Sequence, residues 1–269
     1  MKNLDEINLW MGVVEELLRL IEEENIEELT VEEAVLGIGY TAVRISAGDV
    51  GLCHSLLGEN PCPRRIARRA GTLRGMKAME MAELAVSEDI SERVVGMAAL
   101  NALAHHIFQE HRYRVWRGNL LPHLLREIRP SDTVVLVGYI GPFEQPLREA
   151  ASRLIILEND PTRRRGRALP GSEAPRILPE ADVVVITGSS LANGSIDGVL
   201  RLSEDARVRV VVGASTPLIP DPLFDSGVDA VGAVRVLDAE KLMQIVSEGG
   251  GTREIKGAVE YLTLSPKLT

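Results

Sequence analysis

The chain has 269 residues, 45% hydrophobic and 3% aromatic, with a formal net charge of −9. That length suits one large or two modest domains, the acidic balance excludes a general nucleic-acid binder, and the few aromatics exclude base stacking as the main activity. No secretory leader and no apolar run of about 18 residues is visible, and two cysteines cannot build a disulfide framework, so a cytoplasmic protein is expected.

The opening stretch LDEINLWMGVVEELLRLIEEEN repeats apolar residues at helical spacing with acids opposite, which predicts an amphipathic helix. In VEEAVLGIGYTAVRISAGDVGLCHSLL, β-branched and glycine residues break that period. There AVRIS and VGLCHSL flank Ala47-Gly48-Asp49, a hairpin signal. PRRIARRA, MKAMEMAELAV and SERVVGMAALNALAHHIFQEH predict two or three helices. Residues 1–117 therefore form an expected α+β unit. A different rhythm begins near Arg129-Pro130. TVVLVG, RLIILE, DVVVITG, VRVVVG and DAVGAVRV are short, dry strands alternating with helices such as GPFEQPLREAA, SIDGVLRLS and DAEKLMQIVSE. Continuously apolar strands in that alternation predict a mostly parallel, doubly wound, Rossmann-like domain over 118–269.

In such a sheet every strand-to-helix loop emerges at one edge, where ligands bind. Three of these loops carry unusual chemistry. Gly138-Tyr139-Ile140-Gly141-Pro142-Phe143 lets the backbone approach a ligand and places Pro142 at a helix start, but it is not GxGxxG. Glu158, about 20 residues on, is where an acid can hold a ribose; a tight turn with a surface acid is the alternative. TGSSLANGS turns abruptly from a dry strand into Thr187, Gly188, Ser189, Ser190, Asn193, Gly194 and Ser195. These are polar groups suited to a ligand, with Ser195 placed to cap the next helix. A plain Asn-Gly turn competes. Gly213-Ala214-Ser215-Thr216-Pro217 opens a loop stiffened by three prolines, offering two hydroxyls or simply a rigid connector.

TGSSLANGSID and GASTPLIPDPLFDSGVDAVGAVRV, with GIGYTAVRI and the helix around Asn101-Ala102, resemble the family described as "putative heavy-metal chelation". The resemblance covers nearly the whole chain. It implies an amino-terminal domain similar to the enolase amino-terminal fold, a Rossmann-like carboxyl-terminal domain, and a site in the cleft between them. It carries Thr187, Gly188, Asn193, Gly194, Ser215, Thr216, Pro217 and Glu158 over as cleft residues. The family favours threonine where this chain has Ser189 and Ser195, and proline where it has Ala214.

For a metal, Cys53, His54 and Cys62 lie within ten residues without forming CxxC, and a small buried hydrophobe is the competing reading of each cysteine. His106 and Glu110 are four apart on one face at a helix end, a workable two-ligand geometry, with a solvated helix end as the competing reading. A hard metal would prefer oxygens such as Glu158 and Asp160. Two arginine clusters, Arg64/Arg65/Arg68/Arg69 and Arg163/Arg164/Arg165/Arg167, read either as solvated surface or, for the second, as a grip on phosphate or carboxylate. The arginine excess over lysine also fits a thermophile or a GC-rich genome. Three functions stand. The first is binding of a small anionic ligand, a metal ion or a metal complex between the domains. The second is an enzyme using S-adenosylmethionine or a nicotinamide at Gly138 to Glu158. The third is a homo-oligomeric assembly module with Trp10, Trp116 or the proline-rich loop between subunits.

Overall fold

The computed structural model describes residues 12–266 apart from positions 25, 27, 60–63 and 165. Its amino-terminal half runs α1 (Val13–Glu22), β1 (Val31–Leu36), β2 (Tyr40–Ile45), β3 (Val50–His54), α2 (Arg64–Ala67), α3 (Ala78–Ala82) and α4 (Ile90–Ile107). Helix α1 buries Val13, Val14, Leu17, Leu18 and Ile21 on one face, while the expected start of this helix before residue 12 lies outside the described residues. The hairpin at Ala47-Gly48-Asp49 forms: β2 and β3 pair antiparallel, and Gly48 takes φ +92°, which glycine adopts without steric cost. Asp89 caps α4 by accepting the N–H groups of Ser91 and Glu92. Every residue of α4 from Val94 to Ala104 is buried, so the helix must be enclosed on all sides. It lies between the three-stranded sheet β1-β2-β3, α3 and the carboxyl-terminal half.

That second half contains β4 (Tyr113–Arg117), α5 (Leu121–Glu127), β5 (Thr133–Val137), α6 (Gly141–Ala150), β6 (Arg153–Leu157), α7 (Ala174–Ile177) and β7 (Val183–Thr187). It continues through α8 (Ser189–Asn193), α9 (Ile196–Leu202), β8 (Val208–Val212), α10 (Asp221–Asp225), β9 (Ala230–Val236), α11 (Ala239–Ser247) and β10 (Val259–Pro266). Among the described residues the large sheet has the order β4-β10-β9-β8-β7-β5-β6. All five predicted strands are present and parallel, giving the expected mostly parallel α/β architecture. Two strands were not foreseen. β10 runs antiparallel to β9, and β4 pairs antiparallel with β10. Residues 113–117, expected in the amino-terminal unit, thus form the outer strand of the large sheet.

From β5 the chain goes to β6 on one side, then crosses back to β7 on the other. This reversal leaves a crevice beyond the carboxyl ends of β5 and β7, where open α/β sheets bind ligands. One apolar cluster includes Val13 and Leu103 from the first half and Val135, Leu191 and Leu264 from the second, so the halves share a core. No helix among the described residues is long and apolar enough to cross a membrane.

Candidate functional site

The crevice holds a cavity of about 340 Å³, lined by the loops after β5, β6 and β7, by α9, and by Glu59 from the amino-terminal half. At its floor, a Cβ on Gly138 would come within 2.4 Å of Thr187 Cγ2, and the residue has φ +84°; both requirements select glycine. Glu158 is buried, and its carboxylate accepts the Tyr139 N–H at 2.8 Å and the Asp160 N–H at 2.9 Å. The acid expected to hold a ribose therefore ties two strand-end loops together, with each oxygen already occupied by a backbone donor.

The TGSSLANGS stretch becomes the single-turn helix α8, entered at Gly188 and ended at Gly194, whose φ of +77° breaks the helix. Thr187 Oγ1 and Ser189 Oγ lie 3.1 Å apart at the cavity wall, and the Ser190 hydroxyl donates back to Thr187 O at 2.7 Å. Asn193 joins the two halves. Its Nδ2 donates to Glu59 Oε2 at 3.0 Å, while its Oδ1 accepts the Ser195 N–H at 3.1 Å and the Ser195 hydroxyl at 2.7 Å. Ser195 accordingly makes no cap for α9, contrary to expectation, because the Asn193 oxygen takes its hydroxyl instead. Arg93, from α4, donates to Ala192 O at 2.8 Å and Asn193 O at 3.0 Å, fixing the exposed end of α8.

Charge in the cavity is mixed. Burial raises the Glu59 carboxyl above its ordinary range; the Asn193 hydrogen bond opposes that shift, and Glu158 and Asp160 add to it. Arg163 lines the same cavity and also a second one of about 360 Å³, bounded by Tyr139, Gly141 and Thr162. Its guanidinium donates to Tyr139 O at 3.0 Å and stands 3.3 Å from His54 Nε2. Burial, with the nearby Arg163 charge, pushes His54 down to about 4, so the imidazole is neutral at pH 7.

The structure brings Gly138, Glu158, Thr187, Ser189, Ser190, Asn193, Gly194 and Ser195 to one cavity and Gly141 to its neighbour. It does not bring the third loop there. Ser215 and Thr216 are buried; Ser215 Oγ accepts the His54 N–H at 2.9 Å, and Asn101 Nδ2 donates to Ser215 O at 3.0 Å. Gly188 backs onto this loop, since a Cβ there would meet Thr216 Oγ1 at 2.4 Å. Gly213 bonds across to Gly232 O, Pro217 is buried, and Pro142 is exposed on the first turn of α6. The proline-rich loop is thus, over its buried residues 215–220, an internal strut between the halves. Trp10 lies outside the described residues, and Trp116 packs its ring 5.1 Å from His123.

The metal candidates separate. Cys53 is fully buried, and burial pushes its thiol up to about 12, so it is not a thiolate. Cys62 lies outside the described residues. The pairing of His106 with Glu110 fails because α4 ends at Ile107; His106 Nδ1 meets Asp49 Oδ2 at 2.8 Å, and Glu110 pairs with Arg117 and Arg235. Among the described residues no group of three or more His, Cys, Asp or Glu is placed to hold a metal ion. In the arginine clusters, Arg69 pairs with Glu92 at 3.1 Å, Arg164 donates to Glu158 O at 3.1 Å, and Arg165 lies outside the described residues. Sequence reasoning missed Glu59 and Arg93. No local motif marks either one, because each reaches the site from the other half.

Fold and site together define a two-part α/β protein with a polar cavity at the switch point of its parallel sheet, walled partly by its amino-terminal half. The chain belongs to the DUF364 family, described as "Putative heavy-metal chelation", whose model matches residues 121–265. A second model with the same description, DUF4213, matches residues 19–104. A DUF364-family protein of unknown function from Desulfitobacterium hafniense superposes with TM-score 0.78 at 26% identity, covering 96% of this chain and 99% of its own. A Pyrococcus horikoshii member aligns with the same TM-score at 20% identity, covering 94% and 100%, and shares the fold. An uncharacterised protein of Methanocaldococcus jannaschii is 24% identical over 256 residues, 94% of this chain and 96% of its own.

Proposed function

We propose that this protein binds a small molecule, or a metal already carried by a small molecule, in the switch-point cavity. One observation carries the reading: Glu59 from one half meets Glu158, Thr187, Ser189 and Asn193 from the other around a single space of about 340 Å³. That volume lies in the range of small-ligand pockets. One wall is polar; Val137, Leu157, Val199 and Leu202 line the rest and would take an organic ligand's carbon atoms. The family description supports a metal as cargo. A bare soft ion wants thiolate or imidazole ligands. Cys53 is a buried, protonated thiol and His54 faces Arg163, so a chelate that brings its own ligands fits this cavity better. A nucleotide-cofactor enzyme is less favoured, because Glu158 is already engaged by two backbone N–H groups.

The test fills the cavity from a harmless position. Gly198 lines it, and a Cβ built there has nothing within 4 Å, so Gly198→Leu should fold and occupy the ligand's place. Mass spectrometry and elemental analysis of the protein as purified, with thermal shift against nickel chloride and nickel chelates, should find a ligand that stabilises the wild type. At a hundred times Kd the gain is about 2.7 kcal/mol. Retention of that gain in Gly198→Leu would refute the cavity as the site.

A further inference from the structure

We infer that Arg163 recognises a carboxylate on the ligand, and that the ligand spans both cavities with an electropositive end, an amine or a chelated metal, in the first and the carboxylate in the second. The inference rests on the switch-point reading above and specifies what that site selects.

Its starting point is a conflict of hydrogen-bond donors. A neutral imidazole has one N–H and one accepting nitrogen. His54 Nδ1 receives the Leu56 N–H at 3.3 Å, and Arg163 Nη1 points at Nε2, also at 3.3 Å. Arginine is always a donor. Whichever tautomer His54 adopts, one of these contacts sets a donor against a donor, and protonating the ring would make both unfavourable. Both distances sit at the long limit for an N–H donor. Arg163 is therefore held at rest by the Tyr139 carbonyl and by little else around His54. Its charge acts on Asp160 and Glu59, but neither carboxylate is in salt-bridge contact with it. A half-buried guanidinium turned toward a ring that can accept from it only by giving up the Leu56 N–H is poised to exchange that contact for a better acceptor.

The cavities show where the acceptor goes. Tyr139 and Arg163 are walls of both, so the two are neighbours divided by the arginine. The first cavity contains the Glu59 carboxylate and the negative charge of Glu158, whose oxygens are held by backbone N–H groups, and these charges favour a cation or a metal centre. The second has Tyr139, Gly141, Thr162 and Arg163 around it, with the Asp160 carboxylate turned away behind Thr162, whose N–H and hydroxyl it accepts. With Arg163 shared between the cavities and both lining acids in the first, a dipolar ligand is oriented with its electropositive end in the first cavity. A planar guanidinium also binds a carboxylate through two parallel N–H donors, a geometry that lysine cannot reproduce.

The experiment uses the untagged full chain and three probes by titration calorimetry: nickel nitrilotriacetate, metal-free nitrilotriacetate, and nickel tris(ethylenediamine), which keeps the metal and lacks carboxylates. Arg163→Gln should weaken nickel nitrilotriacetate about ten- to hundredfold, the loss expected for a charge-assisted hydrogen bond. It should leave nickel tris(ethylenediamine) within about twofold, and Arg163→Lys should restore only part of the loss. Glu59→Gln should weaken both nickel probes. Metal-free nitrilotriacetate binding as tightly as its nickel form would show that the carboxylates alone are read, and overturn the dipolar assignment. A ligand-free arm guards against a structural explanation: because its resting contact is conflicted, Arg163→Gln should keep its melting temperature within about 2 °C. A larger fall, with unchanged probe affinity, would make Arg163 a structural residue and overturn the inference. Equal affinity of wild type and Arg163→Gln for nickel nitrilotriacetate, when Gly198→Leu abolishes it, would remove the arginine and leave the cavity standing. If no carboxylate probe binds the wild type, the inferred ligand class is wrong, while binding of the amine complex alone would still support the cavity.

Discussion

Asn193→Asp replaces one atom and reverses the contact that joins the two halves at the site. Asn193 Nδ2 now donates to Glu59 Oε2 across 3.0 Å. In the variant an oxygen replaces that nitrogen, so two carboxylates meet. Two full charges at that separation repel by roughly 5–6 kcal/mol at an effective dielectric of about 20. Keeping one proton on the pair costs about 1.4 kcal/mol for each pH unit above the ordinary carboxyl value. With that value at 4.5 for glutamate, the cost at pH 7 is about 3 kcal/mol, less than the repulsion, so the pair retains its proton. The folded-state pKa is then raised above that of the unfolded chain. Stability relative to wild type is fully present below about pH 4.5 and is lost as pH rises toward the folded-state value. Urea unfolding of both proteins at pH 4.5 and pH 7 should give nearly equal stabilities at the lower pH and a deficit of about 3 kcal/mol at the higher. A deficit of the same size at both pH values, or one larger at pH 4.5, would refute the carboxylate contact.

Gly51→Ala places a Cβ 2.1 Å from both Ala102 N and Ala98 O in the α4 backbone, so it should lower stability by about 3 kcal/mol, read as a fall in thermal midpoint by circular dichroism. Arg93→Ala strips the donors from Ala192 O and Asn193 O, and should cost about 2 kcal/mol and speed hydrogen exchange at residues 189–195 in mass spectrometry. Exchange there unchanged from wild type would show that α8 needs no brace. Cys53, buried and with its thiol pushed up to about 12, should resist iodoacetamide at pH 8 in the native protein and react fully in denaturant, as peptide mapping would reveal.

The sequence by itself determined the parts governed by local patterning. Dry β-branched runs such as Val183–Thr187 cannot stay in water and must be central strands, and the 48–49 turn follows from a glycine free to take a positive φ. The same logic located the TGSSLANGS stretch beyond the carboxyl ends of the strands, since every parallel strand ends on that side. What only the tertiary structure decided depends on separations that local patterning does not encode. Strand β4, YRVWR, has mixed polarity and gains its place only by pairing with β10, 145 to 153 residues later. Helix α4 ends at Ile107, which separates His106 from Glu110 although their spacing suits one face. The hydroxyls of Ser215 and Thr216 resemble those of Ser189 and Ser195 in sequence, yet docking against β3 buries the first pair while the second faces the cavity. Glu59 and Arg93 reach the site from elements 134 and 100 residues away from Asn193, for the physical reason that burying α4 on all sides draws the two halves onto a common core.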